Sequence, residues 1–467
     1  MDPEQNIVIV GGMACGPKTA ARARRRSPSA RITIVEQGPT VSEGSCGLPY
    51  YVGGQIKSER ALLIRTPQQF KEKSNIDVLG WTRATRIDRK SHRVEVTNMA
   101  TGEISSLPYD KLVIATGAVP VVPSSLEGKD LDGVFTLTKV ADANKIIESL
   151  AGPGARKAVV VGGGLIGMEG AEAFRERGLD VSVVEALEHV LPGLLDEDMS
   201  AIVEKELTDK GVHLFTGQRV TRLEGNEQGK VARVVTERST IEADVVLLAL
   251  GFRPNSELAR NAGLEIGPLG GVVVHESLQT SDPDIYAGGD CVENVHIVTG
   301  RKIFAPMGST ANKHGRIIGT NVTGGRDTFP GVVGTAVVKV FDLSVGRVGI
   351  SADEAREAGF QPVMAVRKGL DRAGYYPGAL ESTVKLVADA ATGRVLGAQL
   401  VGVGDVSKRT DVLATAISAE RTVDDMANLD LAYAPPFSPA MDLLHDLANV
   451  IRGKLESAQV GRSAPGS

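Results

Sequence analysis

Cysteine is scarce in this chain, and the three that occur, Cys15, Cys46 and Cys291, stand far apart. With no C-x-x-C pair, a disulfide framework and a zinc knuckle are both excluded, and the pattern fits a reducing compartment. Aromatic residues are few as well, at 4% of the sequence with a single Trp. No apolar run approaches the roughly 18 residues of a membrane span. The amino terminus, Met1-Asp2-Pro3-Glu4-Gln5-Asn6, carries acids where a signal peptide needs bases. Excess positive charge is also missing: the net charge of -5 argues against nucleic acid as a partner. These absences lead to the expectation of a cytoplasmic protein that binds neither membrane nor nucleic acid and holds no metal.

Glycine is abundant instead, with 54 in 467 residues, and its placement carries the first positive signal. Ile7-Val8-Ile9-Val10 is a short all-apolar run of the kind a buried parallel strand needs. It leads into Gly11-Gly12-Met13-Ala14-Cys15-Gly16, then a helix rich in Ala and Arg to about Arg26. A second strand, Arg31 to Val35, ends in Glu36. Strand, glycine turn, helix, strand and terminal acid make a dinucleotide fingerprint, with the acid placed for a ribose hydroxyl. Met13 stands where the middle glycine belongs.

The fingerprint recurs, this time complete. Lys157 to Val161 runs into Gly162-Gly163-Gly164-Leu165-Ile166-Gly167-Met168-Glu169, a helix follows to about Arg177, and Val181 to Val184 ends in Glu185. Such glycines let a pyrophosphate approach the backbone where free N–H groups and the helix dipole meet its charge. Two units in one chain mean two dinucleotides or a duplicated scaffold. Each unit is followed by a buried strand that ends in small residues able to lie against a cofactor, at Thr116-Gly117 and at Gly251. Asp284 to Asp290 is another such strand ending in an acid, with a long helix from about Gly308 to Val322 behind it. From about Thr328 the chain changes to strands and helices without a phosphate loop, an α+β texture that reads as an interface domain.

One further stretch concentrates chemistry: Ser42-Glu43-Gly44-Ser45-Cys46-Gly47-Leu48-Pro49-Tyr50-Tyr51-Val52-Gly53-Gly54. A thiol at the start of a short helix, among small residues, would feel the helix N-terminal dipole and favour its thiolate. Against this stands the ordinary fate of a free cysteine, which is to be buried and inert. Cys15 and Cys291 read that way.

These pieces in this order resemble the two-dinucleotide, FAD-dependent pyridine nucleotide–disulfide oxidoreductases. The resemblance spans about residues 5–455, with Cys46-Gly47-Leu48-Pro49-Tyr50-Tyr51, Gly374-Tyr375-Tyr376-Pro377-Gly378 and Tyr433-Ala434-Pro435-Pro436 as its specific matches. Within the family, the chain is similar to the single-cysteine branch of coenzyme A disulfide reductases, NADH oxidases and persulfide reductases. The implied fold is α/β, with two Rossmann-like domains plus an α+β C-terminal dimerisation domain. The implied boundaries are 1–120 and 252–326 for a discontinuous FAD domain, 121–251 for an NAD(P)H domain, 327–455 for dimerisation, and 456–467 for a disordered tail.

The resemblance also implies site residues. FAD would meet Gly11, Gly12, Ala14, Gly16, Thr116 and Gly117, with Glu36 on its adenosine ribose and Asp290 on its ribityl chain. NADH would meet Gly162, Gly164, Gly167, Glu169, Glu185 and Gly251. Cys46 is the implied redox thiol, which takes its second sulfur from the substrate, and Tyr433 with Tyr375 or Tyr376 would reach it from a second subunit as acids or orienters. Ser42, Arg22, Arg24 and Arg25 are candidate substrate contacts, the arginines for the phosphates of a coenzyme A moiety. The expected activity is NADH-dependent reduction of coenzyme A disulfide, coenzyme A persulfide or polysulfide by a homodimer. NADH oxidase activity toward oxygen and non-catalytic flavin binding are the alternatives. Glu185, followed by Ala186-Leu187-Glu188-His189 with no Arg or Lys, favours NADH over NADPH. Two departures touch the cysteine stretch: Glu43 where the family usually has Phe, and Ser45 where it has Asn. They raise the expectation that the thiol substrate differs from the family's best-known ones.

Overall fold

The computed structural model describes residues 5–152 and 154–463. The strand Asn6–Val10 lies at the centre of a five-stranded parallel sheet, between Arg31–Val35 and Lys111–Ile114, with Asp77–Leu79 and Ile285–Ala287 at the edges. Its apolar run, Ile7 to Val10, follows from cover on both faces. Ile7 and Ile9 pack with Ala20, Ala23, Ile317 and Ile318 of two helices, Cys15–Arg26 and Gly308–Asn321. Val8 and Val10 face the other way, into a core shared with Ile87, Val94 and Val96 of an antiparallel meander.

The second unit repeats this plan. Lys157–Val161 is central in a parallel sheet with Asp180–Val184, Val212–Phe215, Val245–Leu248 and Val134–Phe135. Ala158 and Val160 pack against Met168, Ala171 and Phe174 of the helix Leu165–Glu176, while Val159 and Val161 meet a second meander at Leu223 and Val234. The chain leaves the first unit and returns to it through a two-stranded ribbon, Ala118–Pro120 against Phe252–Pro254. Ile285–Ala287 then pairs with Lys111–Ile114, so the first sheet takes an edge strand from the chain that follows the second unit.

The remaining chain forms a five-stranded antiparallel sheet, ordered Ala336–Val340, Leu343–Gly349, Val395–Gly402, Glu381–Asp389, Pro362–Leu370. Helices Val406–Ser418 and Leu443–Ser463 cover it. The segment expected to be a disordered tail from residue 456 instead continues this last helix to Ser463, and residues 464–467 lie outside the described residues. The antiparallel sheet is tied to the second unit by charge. Glu172 accepts the Phe341 N–H at 2.8 Å and pairs with Lys339, and Lys385 lies between Asp196 at 2.6 Å and Asp198 at 2.8 Å. Among the described residues, no helix is long and apolar enough to cross a membrane.

The glycines of the two loops do different work, which separates two substitutions. A Cβ at Gly167 would lie 1.9 Å from the Gly162 carbonyl oxygen, whereas one at Gly164 would meet nothing within 4 Å. Gly167→Ala should therefore cost about 1–3 kcal/mol or more through backbone displacement, read as a lower urea midpoint. Gly164→Ala should cost less in the same measurement. Equal losses would show that loop closure is not what Gly167 serves.

Candidate active site

Both fingerprint acids fold back onto their own loops in the same way. Glu36 accepts the Gly12 N–H at 2.8 Å and the Gly38 N–H at 2.8 Å. Glu185 accepts the Gly163 N–H at 2.6 Å and the Leu187 N–H at 2.9 Å. Each carboxylate is thus oriented by two amides, with its remaining lone pairs free for a ribose hydroxyl. In both loops the first and last glycines are demanded by the chain itself. A Cβ at Gly11 (φ +112) would lie 2.0 Å from the Ala115 carbonyl oxygen, and one at Gly16 would lie 1.9 Å from that of Gly11. Gly164 has no such neighbour, so what its missing side chain leaves open is the cradle itself. Met13 stands at the matching place in the first loop.

A flavin nucleotide would need, at the first site, a glycine cradle for its pyrophosphate and an acid for its ribose. A cavity of 210 Å³ opens beside Gly11, Glu36, Thr116 and Asn255. Thr116 Oγ1 donates to the Asn255 carbonyl at 2.6 Å, and the Asn255 N–H donates to the Gly117 carbonyl at 2.9 Å, which fixes the small-residue turn. Asp290 Oδ1 is buried without a hydrogen-bond partner, and burial pushes this carboxyl up to about 6. A buried acceptor with no donor is costly unless a ligand supplies one, and a ribityl hydroxyl would. The residues fit the group.

His314 was not singled out by its sequence. It lies two turns into the helix Gly308–Asn321, and its Nδ1 accepts the Gly289 N–H at 3.1 Å, bracing the turn that presents Asp290. Burial holds this imidazole down at about 4, so it stays neutral, with Phe329 edge-on at 4.4 Å. No local pattern marks such a residue, because its partner is 25 residues away in sequence.

The cysteine stretch forms the seam between the two units. Tyr50 donates to Glu169 Oε1 at 3.0 Å, Tyr51 donates to Asn144 Oδ1 at 3.0 Å, and Arg177 Nε donates to the Val52 carbonyl at 2.6 Å. Glu43 accepts the Val140 N–H at 3.2 Å, at the first residue of the helix Val140–Ala151, and also pairs with the Thr40 hydroxyl. The acid at this place is therefore a helix cap across the seam. Ser42 has φ +58 and is pinned by its N–H to the Gly12 carbonyl at 2.7 Å.

Cys46 lies in a 3₁₀ turn, Ser45–Gly47, ahead of the six-residue helix Leu48–Gly53. The helix dipole expected to act on it comes from elsewhere. A Cβ at Gly308 would lie 4.0 Å from Cys46 Sγ, so the thiol sits at the start of the 14-residue helix Gly308–Asn321. The net setting is not the expected one either. Partial burial, then the carboxylates of Glu169 and Asp290, push the Cys46 thiol up from its ordinary value, against the pull of the helix terminus. Glu169 is itself half-buried rather than a surface acid, and burial raises it despite the Tyr50 hydrogen bond. Cys15 and Cys291 are buried, as expected of inert thiols.

Tyr375 and Tyr433 stand together on the C-terminal domain, 77% and 52% exposed, and the neighbouring Tyr433 hydroxyl raises the Tyr375 phenol. Tyr376, Phe437 and Met441 are exposed on the same domain. Among the described residues, no hydrogen bond joins either tyrosine of the pair to Cys46. The candidate arginines divide. Arg24 is spent on the carbonyls of Ser74, Pro28 and Asn75 at 2.9, 2.6 and 2.7 Å. Arg22 donates to Thr320 Oγ1 at 3.0 Å, and Arg25 is exposed.

A family model described as pyridine nucleotide-disulphide oxidoreductase matches residues 5–308, and one for the dimerisation domain of that family matches residues 335–445. The fold superposes on an NAD-dependent persulfide reductase from A. fulgidus with a TM-score of 0.94 and 48% identity, covering 97% of this chain and 84% of that one. The NAD(P)H coenzyme A polysulfide/persulfide reductase of Pyrococcus horikoshii is 37% identical over 96% of this chain and 99% of its own length. An NADH oxidase of Methanocaldococcus jannaschii is 37% identical over 92% of this chain and 95% of its own.

Because Glu169 disfavours the Cys46 thiolate, Glu169→Gln should lower the thiol's pKa. At a given pH below that pKa more thiolate is then present, and iodoacetamide should alkylate Cys46 faster, with the midpoint of the rate–pH curve moved down. A midpoint that does not move would show that Glu169 has no electrostatic hold on the sulfur.

Proposed function

Because the chain belongs to the pyridine nucleotide-disulphide oxidoreductases, we propose that it is an NADH-dependent flavoprotein that reduces a disulfide or sulfane-sulfur substrate through Cys46, with coenzyme A persulfide or disulfide as the substrate class. The observation that carries this reading is the isolation of Cys46 on the seam. It is the exposed thiol between two dinucleotide loops, and the other two cysteines are buried. The second sulfur must therefore come from the substrate. The relatives whose names include persulfide or polysulfide reduction support the same substrate class.

FAD would be held by the first glycine loop, Glu36, Thr116-Gly117 and Asp290, and when bound it supplies the relay of an electron pair from NADH to sulfur. The chain's own residues account for the rest. The Cys46 thiolate attacks the outer sulfur of a persulfide, or one sulfur of a disulfide, forming an S–S bond and expelling a thiolate. The electron pair from NADH breaks that bond, releasing hydrosulfide or a second thiolate and restoring the Cys46 thiolate. The proton left when the hydride gives up its electron pair is taken up by one of the two departing sulfurs, so that each turnover balances as one thiol, one anionic sulfur product and NAD+. The amide groups at the start of Gly308–Asn321 stabilise the thiolate at each return. Tyr433 of the partner subunit, with Tyr375 of the partner subunit beside it, donates the proton to the leaving sulfur. The exposed Tyr375, Tyr376, Phe437 and Met441 supply the apolar surface for that homodimer. We place the enzyme in the cytoplasm, in keeping with its three unpaired cysteines.

Steady-state NADH oxidation tests this with oxygen, peroxide, coenzyme A disulfide and coenzyme A persulfide offered separately. The wild-type protein should turn over a sulfur acceptor, and Cys46→Ser should lose that turnover while retaining bound flavin. Full activity of the variant with every acceptor would falsify the thiol mechanism. In the same assay kcat/KM should be higher with NADH than with NADPH, because the fixed Glu185 carboxylate repels a 2′-phosphate. Glu185→Ala should narrow that gap, and a wild-type preference for NADPH would refute the assignment.

A further inference from the structure

The two loops that carry the tyrosines leave the C-terminal domain at different places, yet their bases meet at one buried guanidinium. Arg409, in the helix Val406–Ser418, is 1% exposed. Its Nη1 donates to Ser382 Oγ at 2.8 Å and its Nη2 to the Leu370 carbonyl at 3.0 Å. Nε and Nη2 donate to the Asp442 carboxylate at 3.0–3.2 Å. Leu370 and Ser382 flank the loop bearing Tyr375. Asp442 ends the loop bearing Tyr433, and its Oδ1 accepts the Leu444 N–H at 3.0 Å, starting the final helix.

Other contacts make both loops stiff above this point. The Asp371 N–H donates to the Leu380 carbonyl and the Leu380 N–H donates to Asp371 Oδ1, each at 2.9 Å, which closes the first loop. The Ala373 N–H donates to the Pro435 carbonyl at 3.3 Å, joining the first loop to the second. Tyr375 and Tyr433 lie close together above that junction, near enough for Tyr433 to raise the Tyr375 phenol. A buried ion pair is weak ground for stability, because desolvating two charges offsets most of their attraction. What a guanidinium adds over an apolar side chain is direction: a planar fork whose donors point along fixed lines. Here those lines end on the bases of both tyrosine loops.

We propose that Arg409 is a positioning residue that sets the Tyr375–Tyr433 pair in register for the sulfur chemistry at Cys46 of the partner subunit. This inference rests on the tyrosine role proposed above. Arg409 touches no reacting atom and acts through the loops.

Arg409→Lys keeps a cation opposite Asp442 but cannot span three anchors. The flavin-loaded dimer carrying it should lose about 10- to 100-fold in kcat with coenzyme A persulfide, the cost of a misplaced group. NADH–ferricyanide reduction, which needs no tyrosine, should hold. In a Tyr433→Phe background the same substitution should cost nothing further. Ser382→Ala removes a single anchor and should give a smaller loss of the same kind, which keeps the test open where Arg409→Lys does not fold. Equal loss of both activities, or the same fractional loss with and without the Tyr433 hydroxyl, would overturn the positioning role. If Tyr433→Phe lowers turnover while neither Arg409→Lys nor Ser382→Ala does, the positioning role alone fails. If Tyr433→Phe leaves turnover intact, the tyrosine reading fails and this one falls with it.

Discussion

The docking of residues 43–54 onto the second nucleotide unit is the constraint on which the site depends. Tyr50 on Glu169, Tyr51 on Asn144, Arg177 on the Val52 carbonyl and Glu43 on the helix at Val140 act together across one seam. None is strong alone, since a net hydrogen bond contributes only about 0.5–1.5 kcal/mol. Gly53 adds close packing: a Cβ there would lie 3.2 Å from Ala173 Cα. The outcome is that the Cys46 thiol belongs to the first unit by sequence and is positioned by the second. The same seam places Glu169, from the second fingerprint helix, within electrostatic reach of Cys46.

Around this seam the thiol is poised between opposing influences. The amino terminus of Gly308–Asn321 favours a negative sulfur, while burial, Glu169 and Asp290 disfavour it. The thiol chemistry proposed for Cys46, alternately nucleophile and leaving group, is served by such a balance, because extreme thiolate stability would blunt its attack. Asp290 belongs to both parts of the site. It awaits a donor on a buried oxygen, and its charge also reaches the sulfur. In the proposed enzyme this one carboxylate would face both the cofactor and the thiol.

Much of the fold was legible because its determinants are local. Runs such as Ile7 to Val10 and Lys157 to Val161 alternate nothing and are covered on both faces, and each loop announces its helix by glycine spacing. The roles of Gly11, Gly16, Gly162 and Gly167 follow from the closeness of backbone to backbone, which any chain of this pattern must meet. Glu43 shows where such reading stops. By resemblance it stood as a departure at a substrate-facing position, but its carboxylate is taken up by the Val140 N–H and the Thr40 hydroxyl. Arg24 is similar: a charge in a basic cluster, spent on three carbonyls of neighbouring turns.

By itself the sequence determined the two nucleotide units, their terminal acids and a cysteine that stands apart from the other two, since each rests on residue identity and spacing. Only the tertiary structure decided which helix start lies at Cys46, that Glu169 stands half-buried within reach of the sulfur, that His314 braces the turn before Asp290, and that Arg409 joins the bases of the two tyrosine loops. Those facts depend on groups brought together across hundreds of residues, where no periodicity or motif records the pairing. The final helix belongs to the same class: its polar end, composed like a loose tail, follows the helix that the C-terminal sheet anchors.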